Sequence, residues 1–166
     1  MKNILYLFLA LASYGIFAQT TAEEYLNSAV SKFYLDDMKG AIVDYTKAII
    51  IDPSYVEAYR KRGLAKEELK DFSGAIVDYT KVIEIDPNYA PAYRDRAIAK
   101  GKLKDHSGVV EDFTRAIEID PNYATAYFNR GVSKFYLGDM IGACKDARKA
   151  QELGDDASIL IKKACN

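Results

Sequence analysis

One period of 34 residues governs this chain. Pro53, Pro87 and Pro121 lie 34 apart, as do Gly40, Gly74, Gly108 and Gly142, and Tyr25, Tyr59, Tyr93 and Tyr127. Residues 56–89 and 90–123 agree at 20 of 34 positions. Four registers with one period mean a stack of similar units. A unit this short cannot bury a core alone and must bury its apolar face on its neighbours. The units read as 22–55, 56–89, 90–123 and a divergent 124–157.

Each unit reads as two helices. In the second, residues 56–69 carry Ala58, Tyr59, Leu64, Ala65 and Leu69 at helical spacing. Lys70-Asp71 breaks the pattern, and Asp71 is placed to cap a second helix over 72–85. That helix gathers Ala75, Ile76, Tyr79, Val82 and Ile83 on one face. Asp86-Pro87 ends it, since proline disfavours the α conformation before it and cannot continue the hydrogen-bond ladder. Gly63 and Gly74-Ala75 point to close approach of the paired helices, and the recurrent glycines at 40, 74, 108 and 142 are read the same way.

These residues resemble the tetratricopeptide repeat, a 34-residue helix-turn-helix. The second unit offers Tyr59, Gly63, Ala75, Tyr79, Val82 and Pro87 at the signature positions, and the third Tyr93, Ala97, Val109, Phe113, Ala116 and Pro121. The first unit has Tyr25, Ala29, Ala41, Tyr45, Ala48 and Pro53. The fourth keeps Tyr127, Gly131, Ala143, Ala147 and Ala150 but has Asp155 in place of the proline. Tyrosine stands where the family often has tryptophan, which explains 13 Tyr and no Trp. The resemblance implies an all-α, right-handed solenoid of four repeats, closed by a C-terminal capping helix over 155–165. Asp155 or Asp156 would cap that helix, and Ile159, Leu160 and Ala164 would give it an apolar stripe.

The first eighteen residues read as an address rather than structure. Met1-Lys2-Asn3 precedes an unbroken apolar run from Ile4 to Ala12, too short for a comfortable membrane span and suited to a secretory signal peptide. Cleavage after Ala18 leaves Gln19 first and a charge of 22 − 24 = −2, against −1 for the whole chain. The expected type is therefore an exported bacterial protein, periplasmic or secreted.

Two cysteines carry the sharpest local expectation. Cys144 and Cys165 lie 10 and 11 residues either side of Gly154. If the flanking helices form an antiparallel hairpin, both stand about 15 Å from its turn. Exported proteins live where disulfides persist, so a Cys144–Cys165 bridge pinning the cap is one reading; two buried thiols is the other. Arg62, Arg96 and Arg130 share one repeat position, with Ser28 in the first unit, and Asp44, Asp78, Asp112 and Asp146 share another. Each aspartate could pair with the arginine of the next repeat, as Asp44–Arg62, or of its own, as Arg62–Asp78. Lys32, Lys66, Lys100 and Lys134 recur as well, as do Lys47, Lys81, Arg115 and Lys149, and all are expected on solvated faces. His106 is read as a packing or surface residue.

Composition excludes several functions. A net charge of −1 argues against nucleic-acid or anionic-membrane binding through bulk electrostatics. Two Cys and one His cannot build a four-ligand zinc site, and no phosphate loop, nucleophile motif or metal cluster is present in the sequence. The expectation is a non-enzymatic protein with no metal and no cofactor. The resemblance places peptide docking on the concave face lined by the first helix of each repeat. The residues carried over are Leu26, Val30 and Tyr34; Arg60, Leu64 and Glu68; Arg94, Ile98 and Lys102; and Phe128, Val132 and Tyr136. Phe33 and Phe135 either join them or pack between helices. A lysine–asparagine clamp for a terminal carboxylate, used by chaperone-binding members, is not implied, because Leu26 and Val30 hold its first two positions. The function expected is an interaction scaffold of the cell envelope or secreted space. The alternative is an accessory module of a system acting on polysaccharide or peptidoglycan.

Overall fold

The computed structural model describes residues 20–165; the signal-peptide reading of residues 1–18 falls outside them. Its helices come in antiparallel pairs: α1 (Ala22–Tyr34) with α2 (Met38–Ile51), α3 (Val56–Glu68) with α4 (Phe72–Ile85), α5 (Ala90–Lys102) with α6 (His106–Ile119), and α7 (Ala124–Tyr136) with α8 (Met140–Glu152). A short α9 (Ser158–Ala164) packs on α8 and touches α7. Each helix contacts the one before and the one after it, as a solenoid requires, and no strand occurs among the described residues.

Local chemistry sets the boundaries. Thr21 and Glu24 form a reciprocal capping box at the start of α1. The second helices start alike: Asp37, Asp71, Asp105 and Asp139 each accept the backbone N–H three residues on, at 2.9, 2.9, 2.9 and 2.8 Å. The donors are Gly40, Gly74, Gly108 and Gly142, and this corrects the reason for the glycines. A Cβ at any of them would lie 2.0 to 2.3 Å from the capping carboxylate of its own helix. Each thus makes room for its cap, and Gly108 also lets the Lys100 side chain of the facing helix approach, within 2.8 Å of where a Cβ would stand. Close helix approach is served as well by Gly63, where a Cβ would lie 2.6 Å from the buried Tyr79 ring.

Small residues form the seams between helices. Ala29, Ala41, Ala48, Ala58, Ala65 and Ala75 are fully buried, and the large side chains Tyr45, Tyr79 and Phe113 fill the space inside their pairs. The cap helix is shorter than expected. It begins after Ala157 rather than at Asp155 or Asp156, because Asp156 accepts the Ser158 N–H in a local turn instead of capping a longer helix. Leu160 packs over Gly131, and Ala157, Leu160 and Ala164 bury the cap against the last pair. Cys165 ends α9 and is joined to Cys144 by a disulfide, with Cα atoms 5.0 Å apart.

Candidate interaction face

The recurrent charges of the repeat hold the stack together rather than forming a ligand ladder. The arginine of each first helix pairs with the aspartate of its own repeat. Arg62 donates Nε and Nη2 to Asp78 at 3.0 and 2.6 Å, Arg96 does the same to Asp112 at 3.0 and 2.6 Å, and Arg130 to Asp146 at 2.8 and 2.7 Å. The remaining Nη1 reaches back to the preceding repeat, donating to Thr46, Thr80 and Thr114 at 3.0, 3.0 and 3.2 Å. Each guanidinium thus closes its own helix pair and ties it to the neighbour. The rival pairing, Asp44 with Arg62, is not formed.

The lysines at 66, 100 and 134 are not on a solvated face, whereas Lys32 stays 37% exposed. Lys66, Lys100 and Lys134 reach the same aspartates at 2.8, 3.0 and 2.8 Å. Their long stems run along apolar surface while the ammonium finds the buried carboxylate. In the first repeat, Ser28 and Lys32 stand in for the arginine on Asp44, with Lys47 at 3.1 Å. Burial alone would raise the Asp44 pKa, but hydrogen bonds from Lys32, Ser28 and Lys47 outweigh it and hold it at about 2. Lys81, Arg115 and Lys149 are exposed, or nearly so, and pair with Glu84, Glu118 and Glu152 one turn on.

With those groups committed to stacking, the face lined by α1, α3, α5 and α7 is left for contact. Val30, Leu64, Ile98 and Val132 occupy one position of successive repeats. Two clefts open along this row. One, of about 130 Å³, lies between the first and second repeats and is lined by Val30, Phe33, Tyr34, Tyr45, Lys61 and Leu64. The other, of about 280 Å³, lies between the third and fourth, where Ile98, Lys102, His106, Asn129 and Val132 meet. His106 stacks on Tyr136 of the following repeat, with centroids 4.7 Å apart, so the expected packing residue forms part of the cleft wall. Tyr34 and Tyr136 stand 81% and 66% exposed at the two ends.

Other expected groove residues are placed differently. Leu26 is only 5% exposed and belongs to the core with Ala58 and Tyr59, because an apolar side chain at that position sinks into the seam between the first two repeats. Phe33, Phe128 and Phe135 are half-buried and pack against the end cores. Glu68 and Lys102 are exposed. Arg60 and Arg94 reach a common partner that sequence reasoning missed. Asp95, 3% exposed, accepts Arg60 Nε at 2.7 Å and Arg94 Nε and Nη2 at 2.9 and 2.7 Å. Next to it, Tyr79 donates its hydroxyl to Glu67 at 3.1 Å, while the other Glu67 oxygen is buried without a hydrogen bond. Burial, with the Asp95 and Glu68 charges nearby, raises the Glu67 pKa above the usual range, and burial raises that of Tyr79 as well. These groups fill the space between the second and third repeats. The signal was there: Asp95 stands where the other repeats have Asn27, Lys61 and Asn129.

No group of three or more metal-ligating side chains is found among the described residues, nor a helix long and apolar enough to cross a membrane. What this face can do chemically is bury apolar side chains between polar walls.

The tetratricopeptide repeat family model matches residues 56–89. No curated protein matches the chain. Among solved structures, it resembles a crystal structure of MamA protein (25% identity, TM-score 0.81, covering 86% of this chain and 80% of that one). MamA 41-end from Desulfovibrio magneticus RS-1 has the same fold at 19% identity and a TM-score of 0.75, over 80% of this chain and 75% of that one. The first repeat domain of Spaghetti (RPAP3), bound to the HSP90 peptide SRMEEVD, is 26% identical with a TM-score of 0.63, over 66% of this chain and 90% of that one. Paired helices in a solenoid, the signature residues at their seams and the matched second unit together make this chain a tetratricopeptide-repeat protein.

Proposed function

We propose that this protein is a non-enzymatic, exported scaffold that binds a segment of another protein on the concave face. The row of Val30, Leu64, Ile98 and Val132, opening into clefts at both ends, carries the reading. Apolar side chains left half-open in concave surfaces are where partner side chains are desolvated, and the exposed aromatics Tyr34 and Tyr136 are of the type that anchors interfaces. The Spaghetti (RPAP3) domain, of similar fold, is bound to a peptide, which supports a peptide or protein partner here. Export rests on the apolar leader of residues 4–12 and accords with a disulfide between Cys144 and Cys165.

Capture tests the docking face. The full chain and its Ile98→Asp, Tyr136→Asp variant are used as bait on envelope and secreted fractions of the source cell. Proteins held by the first and lost from the second support the reading; equal recovery places binding elsewhere. Intact mass of the mature protein tests export: loss of residues 1–18 supports it, and retention in a cytosolic fraction refutes it.

A further inference from the structure

The interaction face is interrupted, and the interruption specifies a ligand. The two clefts sit between the first and second repeats and between the third and fourth. The space between them is closed by the Tyr79–Glu67 contact and by Asp95 with its two arginines. A partner cannot lay a continuous apolar strip on this face. It must span a polar block and seat an apolar residue on either side.

The block has a definite polarity. Asp95 is buried and fully used by Arg60 and Arg94, so it is not open to a cationic partner. The free Glu67 oxygen is buried too. Arg60 differs. It bonds Asp95 through Nε alone, its side chain is 26% exposed, and its two terminal nitrogens have no hydrogen bond to any described residue. Lys61 lines the first cleft and Lys102 the second, Lys61 with only a 3.6 Å contact to Glu57. Arg60 and Lys61 also line a further cleft, of about 460 Å³, together with Glu57 and Asp86. Glu57 is answered by Lys61, and the donors left to a partner along the row are the cations, of which the Arg60 guanidinium edge suits a carboxylate.

Length follows from packing. Successive first helices stand about 10 Å apart, so clefts two repeats apart are separated by roughly 20 Å. An extended chain advances about 3.3 Å per residue, which sets the two anchors about six residues apart. We propose that the concave face takes an extended segment of a partner protein carrying two large apolar residues about six positions apart with an acidic residue between them, one apolar residue seated in each cleft and the carboxylate on Arg60. This rests on the scaffold reading above and names the ligand class for it.

The test uses random peptides of about twelve residues displayed on phage, selected on the full chain. Binding of the selected peptides is then measured by fluorescence anisotropy against the chain and its Leu64→Asp and Ile98→Asp variants, each checked by circular dichroism and thermal melting. The expected consensus has the two apolar positions and the central acid. Serine at either apolar position weakens binding roughly tenfold or more, and Gln for the central acid weakens it about fivefold. These peptide-side changes keep the test intact if a protein variant fails to fold. Peptides that need Leu64 and Ile98 but show another spacing, or a central basic residue, overturn the proposal and leave the scaffold reading standing. Peptides insensitive to both variants, or no enrichment at all, count against both. A dimer dissolved by Leu64→Asp in sedimentation assigns the face to a second copy and overturns the proposal as well.

Discussion

Replacing Asp78 with asparagine tests whether the buried ladder holds the stack together. The Asp78 carboxylate is 0% exposed and receives three charge-assisted contacts, two from Arg62 at 2.6 and 3.0 Å and one from Lys66 at 2.8 Å. The Asp78→Asn change would keep the shape but leave two cations, 16% and 19% exposed, facing a neutral amide. Removing one partner of a buried pair costs about 3–5 kcal/mol. The cations here are near enough to the surface to regain some water, so the lower end applies, about 3 kcal/mol. For a chain of this size each kcal/mol moves the melting temperature by about 2–4 °C, so Asp78→Asn should melt roughly 6–12 °C lower. Urea titration and thermal melts read this directly. Glu84→Gln, at an exposed pair with Lys81, serves as the reference and should leave stability nearly unchanged. Thr46→Val removes the tie to the previous repeat, along with the hydroxyl's own bond to Ile42 O, and should cost about 1 kcal/mol. Double-mutant cycles then locate the pairing: Arg62→Met with Asp78→Asn should couple by about 2 kcal/mol, and Arg62→Met with Asp44→Asn hardly at all. A loss below about 1 kcal/mol for Asp78→Asn, or equal coupling in both cycles, would refute the ladder as described.

Four further outcomes follow from the same structure. Glu67 has its pKa raised in the fold, so stability falls as pH rises from the unfolded value through the folded one; Glu67→Gln should melt higher than wild type at pH 7 and alike at pH 4, and a lower melt at pH 7 refutes the burial argument. Asp44 shows the opposite sign, about 2 in the fold against 3.8 unfolded, so its contribution is whole above about pH 4 and lost toward pH 2; the stability gap between wild type and Asp44→Asn should close over that window in acid titrations. Cys144→Ser with Cys165→Ser opens a bridge spanning 21 residues, worth about 3 kcal/mol, and a seven-residue helix cannot persist unaided; amide exchange across Ser158–Ala164 should rise while the repeats stay protected, and unchanged exchange would show the cap held by packing alone. Gly63→Ala puts a Cβ 2.6 Å from a ring that is fully buried, so overpacking of about 1–3 kcal/mol outweighs about 1 kcal/mol of helix propensity, and a stabilised variant would show that Tyr79 has room to move.

What is legible in the sequence is whatever repeats. The helix over Phe72–Ile85 is bracketed by a capping aspartate and an Asp-Pro stop, both local signals, and it begins and ends where those signals stand. The cap helix lacks such a bracket. Asp155 and Asp156 look like caps in sequence, but the Asp156 side chain serves a turn, and the chain turns helical only at Ser158. The lysines at 66, 100 and 134 escape sequence reading for a different reason. Charge patterning along one helix treats a lysine as solvated, whereas the second helix of the same pair brings a buried carboxylate within its reach. The choice between Arg62–Asp78 and Asp44–Arg62 is likewise a matter of which helix lies across the seam, which periodicity leaves open. Leu26 illustrates the limit of family transfer, since the same repeat position holds a groove arginine in the middle repeats and a core leucine in the first.

The stack and the proposed contact face use adjacent residues of the same helices, and this determines which substitutions can separate binding from folding. In α3, Arg62 and Gly63 are committed to the seam while Leu64, one residue on, opens into the cleft. In α5, Arg96 and Ala97 are committed in the same way while Ile98 is 42% exposed. An acidic substitution at Leu64 or Ile98 therefore meets water on its open side, leaves the ladder untouched and should cost binding without a comparable loss of stability. Arg60 and Arg94 offer no such separation. Both hold the buried Asp95, so replacing either with Glu strands one carboxylate beside another inside the stack, and lost binding could not be told from a disturbed fold. The two arginines most conspicuous as groove residues in the sequence are thus the poorest probes of the groove, and the plain aliphatic row that lines the two clefts is the better one.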